Sequence, residues 1–193
     1  MKPPGHDHAA KRAIFIDKDG TLIEDLPYNA NPARIRLMPQ AAESLALLKS
    51  CGYLLFVASN QKGIGLGLLT ESQLEDGFTR IQQLLEPGSV QIDGFYYCPH
   101  HPDQAGCDCR KPSPGLLLQA AREHGLQLQH SWMIGDILDD IEAGHRAGCR
   151  SMLINCGNET EWRQGSLRIP DAIAANWHQA ASMIASLSAR ELL

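Results

Sequence analysis

Apolar strand-like runs alternate with helix-like segments along almost the whole chain. Five such runs predict β-strands at 13–16, 53–58, 95–98, 132–134 and 151–155. Helices are predicted between and after them, at 39–52, 70–85, 113–124, 137–147 and 171–187. Strands that alternate with helices form parallel sheets covered by helices. The alternation therefore predicts an α/β fold: a three-layer α/β/α sandwich with a mostly parallel, Rossmann-like sheet.

Length, charge and cysteine content limit the class of protein further. The 193 residues fit one domain, which we predict over residues 13–193 after a disordered lead-in at 1–12 that lacks the apolar segment of a signal peptide. A formal net charge of −5 disfavours nucleic acid and anionic membranes as partners. No apolar run approaches the ~18 residues that span a bilayer. We therefore predict a cytoplasmic monomer without a disulfide framework.

Two carboxylates, Asp17 and Asp19, directly follow the first predicted strand. Open α/β sheets bind their ligands at the carboxyl ends of strands, and the i, i+2 spacing points both side chains the same way. Gly20 then permits a sharp turn. A nucleophilic carboxylate beside a second carboxyl that exchanges protons is what phosphoryl transfer through an aspartyl-phosphate requires. The alternative interpretation is a solvated acidic turn.

Further polar groups stand at later strand ends. Ser59 and the turn after it offer a hydroxyl and backbone N–H groups to phosphate oxygens, while Asp136 opens another acidic cluster. Asp17, Asp19 and Asp136 would repel one another unless a hard cation such as Mg²⁺ lay between them. Lys111 would add a second positive charge. Each motif alone has an ordinary structural explanation, but their order along the chain predicts one magnesium-dependent phosphoryl-transfer site.

Four soft ligands lie within a dozen residues, in the segments Cys98-Pro99-His100 and Cys107-Asp108-Cys109. Three thiolates and one imidazole form an ordinary closed, tetrahedral zinc set, so we predict a structural Zn²⁺ in this loop. The spacing does not distinguish His100 from His101 as the fourth ligand. The alternative is a loop of reduced cysteines. Because the basic pair that contains Lys111 follows Cys109, a metal here would position that pair.

These motifs resemble those of the haloacid dehalogenase superfamily of phosphohydrolases. Its DxDGT signature matches residues 17–21, and its GDxxxD motif matches Asp136 and Asp140. The resemblance implies that Asp17 is the nucleophile and Asp19 the acid/base. It implies that Ser59 and Lys111 hold the phosphoryl group. It also implies that Mg²⁺ is held by the side chains of Asp17 and Asp136 with the backbone carbonyl of Asp19.

Two segments narrow the resemblance within this superfamily. The Cys/His loop at 98–109 and the segment Ser59-Asn60-Gln61 resemble those of the D-glycero-D-manno-heptose 1,7-bisphosphate 7-phosphatases and their sister group, the histidinol-phosphate phosphatases. This resemblance spans roughly 14–154 and implies a domain without a large cap. It implies that the substrate pocket is lined by 25–28 and 59–62, which gives as substrate-binding candidates Asp25, Tyr28, Asn60, Gln61 and Lys62. It further implies that Arg110 contacts the distal phosphate or the sugar.

The chain departs from the family pattern at Lys18, where arginine is frequent, at Ile137, where lysine is frequent, and in the unmatched segment 158–170.

We expect a Mg²⁺-dependent phosphomonoesterase that removes the 7-phosphate of a heptose bisphosphate, so its partner is a small phosphorylated sugar. The first alternative is the same chemistry on histidinol phosphate or another small metabolite. A DNA 3′-phosphatase is disfavoured by the pI of about 5.9. An alternative of another class is a zinc-stabilised binding module without turnover, which the combined presence of Asp17, Asp19, Lys111 and Asp136 disfavours.

Overall fold

The computed structural model describes residues 11–101, 103–104 and 106–190, and it contains a six-stranded, entirely parallel sheet. The strand order is β3-β2-β1-β4-β5-β6. The strands are β1 (Arg12–Ile16), β2 (Tyr53–Asn60), β3 (Gly94–Cys98), β4 (Trp132–Gly135), β5 (Arg150–Ile154) and β6 (Ala172–Ala174). Since β1 lies between β2 and β4, the order reverses around it. Their carboxyl ends therefore meet at the position where open α/β sheets bind ligands.

Six α-helices lie within the described residues. They are α1 (Ala41–Ser50), α2 (Lys62–Gly65), α3 (Glu71–Leu85), α4 (Gly115–His124), α5 (Leu138–Ala147) and α6 (Trp177–Arg190). Five of them cover the two faces of the sheet, and the short α2 lies at its carboxyl edge. Alternate residues of β1 face opposite layers, because successive strand side chains point to opposite sides. Ile14 and Ile16 pack with residues of α1, α3 and α6, whereas Phe15 packs with residues of α4. The three-layer α/β/α sandwich is confirmed.

The prediction of a helix over 171–187 is wrong in its first part. Residues 172–174 form β6, a parallel edge strand that pairs with 152–154 of β5. The Asn155 N–H donates to the Ala174 carbonyl at 2.8 Å and the Asp171 N–H to the Ser151 carbonyl at 2.9 Å. The helix begins only at Trp177. Sheet pairing with a distant strand overrides the helical preference of a short alanine-rich segment.

Most of the predicted lead-in, residues 1–10, lies outside the described residues. Arg12 is the first residue of β1, and Lys11 forms a bridge with Leu126. Within the described ranges, loops and the short helix α2 surround the carboxyl edge of the sheet, and no large cap domain is inserted there. None of the helices described has the length and apolar character needed to cross a membrane.

Candidate active site

Three buried carboxylates converge at the carboxyl edge of the sheet. Asp17 follows β1, Asp136 follows β4, and Asp140 lies in the first turn of α5. One carboxylate oxygen from each lies within 4.8 Å of the other two. The Asp17 N–H donates to the Ile134 carbonyl at 2.9 Å, which extends the β1–β4 pairing to the first of these residues. The parallel register therefore brings together groups that are distant in the sequence.

The Lys111 ammonium is paired with two of these carboxylates. It contacts Asp17 Oδ1 and lies 2.6 Å from Asp140 Oδ1, and its side chain is only 2% exposed. Burial acts to lower the pKa of Lys111, but the adjacent charges of Asp140 and Asp17 outweigh it and raise the pKa above its usual value. Lys111 is thus a buried cation held by the acidic cluster.

One lysine does not neutralise three buried carboxylates. Burial raises the pKa of Asp17 well above its usual value, and repulsion from Asp140 and Asp136 adds to that rise although Lys111 opposes it. Burial likewise raises the pKa of Asp140. A buried group of hard oxygen donors with surplus negative charge fits Mg²⁺, which combines one or two carboxylates with water and phosphate oxygens.

Both oxygens of Asp136 accept hydrogen bonds. Thr21 Oγ1 donates to Oδ1 at 2.8 Å, and Asn158 Nδ2 donates to Oδ2 at 2.7 Å. Gly20 adopts a φ of +83°, and a Cβ there would lie 2.3 Å from Asp136 Oδ2. Glycine is therefore required at position 20 both by the backbone conformation and by the close approach of Asp136.

Asp19 is not one of the three converging carboxylates. Lys18 Nζ donates to its Oδ1 at 2.6 Å, and Gln61 Nε2 donates to its Oδ2 at 2.9 Å. The same Gln61 nitrogen lies 2.8 Å from the oxygen of the buried Ser59 hydroxyl. The proposed acid/base is therefore oriented by two donors, and its role in holding Mg²⁺ through its backbone carbonyl stays a prediction.

A cavity of about 390 Å³ opens beside Asp19. It is lined by the loop after β1, the end of β2 with α2, and one face of α3. Its lining includes all five predicted substrate-binding residues of the two loops, namely Asp25, Tyr28, Asn60, Gln61 and Lys62. Arg110 does not line this cavity, and its Nη1 is buried without a hydrogen-bond partner among the described residues.

The four soft ligands also converge. The His100 Nδ1 lies 3.0 Å from Cys107 Sγ and 3.2 Å from Cys109 Sγ, and Cys98 Sγ lies 3.5 Å from Cys107 Sγ. Zn–S and Zn–N bonds of about 2.3 and 2.0 Å place the corners of a zinc tetrahedron about 3.5–3.8 Å apart. The donor set fits Zn²⁺ in both chemistry and spacing, with a modest expansion.

His100 is the histidine of this cluster. The neighbouring His101 instead turns its Nδ1 towards Asp103, whose N–H donates to it at 3.1 Å. The structure thus places His100, and not His101, beside the three thiols, and its role as a zinc ligand stays a prediction.

The chain is similar in sequence to known proteins over most of its length. It is 39% identical to a D-glycero-β-D-manno-heptose-1,7-bisphosphate 7-phosphatase of Pasteurella multocida (strain Pm70), over 75% of this chain and 81% of the relative. It is 36% identical to the enzyme of that name from Escherichia coli (strain K12), over 86% of each chain. The chain belongs to this phosphatase family. A HAD-hydrolase-like family model also matches residues 108–180.

The fold of this heptose-bisphosphate phosphatase family member also matches a solved structure. The D,D-heptose 1,7-bisphosphate phosphatase from B. bronchiseptica, complexed with magnesium and phosphate, superposes with a TM-score of 0.82 at 28% identity. The match covers 92% of this chain and 99% of that one. The hydrolase class that the sequence predicts is confirmed.

Sequence reasoning missed part of the surroundings of the site. The sequence indicates Asp140 only as a motif position, yet Asp140 is a direct partner of Lys111. Asn158 and Glu159 come from the segment that matched no pattern. Glu159 Oε2 accepts from the Leu138 N–H, at the first residue of α5, at 2.7 Å. No local signal links these two residues to Asp136, because only the return of the chain after β5 places them beside it.

Proposed function

We infer that this chain is a Mg²⁺-dependent phosphomonoesterase that removes the 7-phosphate of D-glycero-β-D-manno-heptose 1,7-bisphosphate. The observation that carries the proposal is the convergence of Asp17, Asp136 and Asp140 around the Lys111 ammonium, next to a cavity that Asp19 also lines. The proposed identity of the substrate is taken from the relatives named above, which match most of this chain at 36–39% identity.

In the proposed first step, a carboxylate oxygen of Asp17 attacks phosphorus, and the bond between phosphorus and the sugar O7 breaks. Asp19 gives its proton to the departing O7, so the sugar leaves as a neutral alcohol. Lys111, already in contact with Asp17, offsets the negative charge on the phosphoryl oxygens. The Ser59 hydroxyl accepts from Gln61 and so keeps its own proton to donate to a phosphoryl oxygen.

In the second step, the Asp19 carboxylate takes a proton from water as the water oxygen attacks phosphorus of the aspartyl-phosphate. The bond between phosphorus and Asp17 breaks, which releases inorganic phosphate and restores both aspartates. Asp17 and Asp136, with the Asp19 carbonyl, would hold Mg²⁺. When bound, this ion supplies Lewis-acid charge that the carboxylate-rich site lacks.

The Cys98, His100, Cys107 and Cys109 cluster has a separate role in this proposal. A closed set of four protein ligands leaves no position for substrate, so Zn²⁺ there stabilises the loop that carries Lys111. We further propose that residues 13–193 act as one domain and that the protein is a monomer that binds neither nucleic acid nor membranes.

The test is phosphate release with Mg²⁺ on a substrate panel. The panel contains both anomers of D-glycero-D-manno-heptose 1,7-bisphosphate, histidinol phosphate and fructose 1,6-bisphosphate, with Asp17→Asn as the control for contaminating phosphatases. We expect strong selectivity for the β anomer of the heptose substrate. Equal and weak activity on every compound would refute the heptose assignment while leaving the phosphatase chemistry in place.

A further inference from the structure

The side-chain amide of Asn60, the last residue of β2, is occupied by the backbone of Lys111. Its Nδ2 donates to the Lys111 carbonyl at 3.0 Å, and its Oδ1 accepts from the Lys111 N–H at 2.9 Å. These two bonds attach the loop after the Cys/His cluster to the sheet. They fix the point from which the Lys111 side chain extends to Asp17 and Asp140.

The side-chain amide nitrogen of the adjacent residue, Gln61, also bonds to groups of the predicted site. The buried Gln61 side chain uses Nε2 to donate both to Asp19 Oδ2 and to Ser59 Oγ, at 2.9 and 2.8 Å. A primary amide nitrogen has two donor hydrogens, so these two bonds use its donor capacity. The Gln61 N–H donates to the Cys98 carbonyl at 2.8 Å, which fixes its backbone to the end of β3.

We propose that Asn60 and Gln61 are positioning residues for the catalytic groups rather than contacts to the sugar. Asn60 places Lys111, and Gln61 orients Asp19 relative to Ser59. The proposal rests on the proposed phosphatase activity, but it does not depend on which phosphate ester is the substrate. Both residues line the cavity, as does Asp19, to which Gln61 donates.

The physical consequence is that both residues act on every phosphomonoester. Lys111 and Asp19 interact with the phosphoryl group and the leaving oxygen, which all phosphomonoesters share. A misplacement of about 1 Å in such groups can cost up to 10²-fold in rate. A residue that binds the heptose hydroxyls would instead matter only for the heptose substrate.

The experiment compares the intact Zn²⁺-loaded protein with Asn60→Ala and Gln61→Ala on two substrates. One substrate is the heptose bisphosphate and the other is p-nitrophenyl phosphate, which has no sugar. We expect kcat to fall by about tenfold or more on both substrates, with little change in KM. Asn60→Asp, which keeps the oxygen that accepts from the Lys111 N–H, covers the case in which Asn60→Ala does not fold.

Gln82→Ala is the matched control. The Gln82 side chain forms the same two-point amide arrangement with a loop, because it donates to the Val90 carbonyl at 2.9 Å and accepts from the Ile92 N–H at 3.0 Å. It does not line the cavity. Gln82→Ala should therefore lower the melting temperature and leave kcat on both substrates unchanged.

The outcomes separate the two proposals. A loss confined to the heptose substrate, seen as a raised KM with normal turnover of p-nitrophenyl phosphate, would overturn the positioning role. If the wild type hydrolyses p-nitrophenyl phosphate but not the heptose bisphosphate, the proposed substrate is wrong and the positioning role is decided on p-nitrophenyl phosphate alone. A wild type that hydrolyses neither compound refutes both.

Discussion

The two candidate metal sites found among the described residues are assembled in opposite ways. The acidic cluster takes Asp17, Asp136 and Asp140 from different elements of the fold, and it exists only when β1 and β4 are paired. The Cys/His cluster takes all its ligands from residues 98–109, in a single loop and the strand end before it. One set is hard, buried and short of positive charge, whereas the other is soft and closed.

The contrast teaches how the fold divides the work between the two clusters. A site built from distant elements forms only when the sheet is correctly paired. Its three carboxylates leave metal coordination positions open for water and substrate. A closed local site fixes one loop. The two are joined by Lys111, which follows the cluster ligand Cys109 by two residues and reaches Asp17 in the other cluster. Mutations should therefore separate chemistry from loop stability, except at this lysine.

The largest expected effect is from Asp17→Asn. The amide cannot act as a nucleophile, so phosphate release should fall by roughly 10⁴-fold or more. Zinc content, measured on the purified protein, should be unchanged, because residue 17 belongs only to the acidic cluster. If the variant kept a substantial share of the wild-type rate, the nucleophile would have to be another residue.

Lys111→Met should lower kcat by roughly 10²–10³-fold, as is typical when a charge that stabilises the phosphoryl group is lost. It also leaves Asp17 and Asp140 without their buried cation, so the variant should unfold more easily in Mg²⁺-free buffer. Lys49→Met is the control. Lys49 Nζ lies 3.0 Å from Asp93 Oδ2, and this ion pair is not part of the acidic cluster. Equal losses of turnover in the two variants would contradict a specific role of Lys111.

Cys107→Ser should lower zinc content and stability together, because a structural zinc site contributes folding free energy. We expect the free energy of unfolding to fall by about 2–4 kcal/mol. Turnover should fall as well, by less than in Lys111→Met, because the loop that carries Lys111 is loosened. Cys156→Ser changes a thiol outside the cluster and should retain full zinc. If Cys107→Ser kept the wild-type zinc content and melting temperature, the assignment of a zinc site to this cluster would be wrong.

The smallest expected effect is from Glu159→Gln. Partial burial acts to raise the pKa of Glu159, but bonds from the N–H groups of Leu138, Glu161 and Trp162 outweigh it and lower the pKa. A lowered folded-state pKa contributes stability above the unfolded value of about 4.3, and that contribution is lost as pH falls through the folded value. The charge at the start of α5 is worth about 0.5–1 kcal/mol.

Urea unfolding at pH 7 and at pH 3.5 tests this. Wild type should exceed Glu159→Gln in stability at pH 7, and the difference should shrink at pH 3.5. Glu161→Gln removes an exposed carboxylate paired with Arg163 and should change stability less at both pH values. A difference that does not change with pH would show that the Glu159 charge is not the cause.

The sequence predicts best what depends on local pattern. The positions of β1, β2 and β4, and the polar groups that follow each of them, can be predicted from apolar runs that end in Asp17, Ser59 and Asp136. The Cys/His loop is predicted because its ligands are close in the sequence. In each case the signal lies within a few residues, and parallel pairing then brings the strand ends to one edge.

What the sequence does not predict is set by long-range return of the chain. Strand β6 forms because residues 172–174 pair with the edge of β5, and the sequence of those three residues does not indicate that pairing. Asn158 contacts Asp136 for the same reason. The sequence likewise does not predict the partners of Asn60 and Gln61. An amide in a strand-end turn does not indicate whether it binds a substrate or another part of the protein.

The position of β1 inside the sheet also has a consequence during synthesis. Ile14 pairs with Leu55 on one side and with Trp132 on the other. A chain leaving the ribosome can complete the first pairing long before residue 132 has been made. During that interval the second side of β1 offers unpaired N–H and C=O groups to any neighbouring chain. The yield of native protein therefore depends on how soon β4 emerges to cover that side.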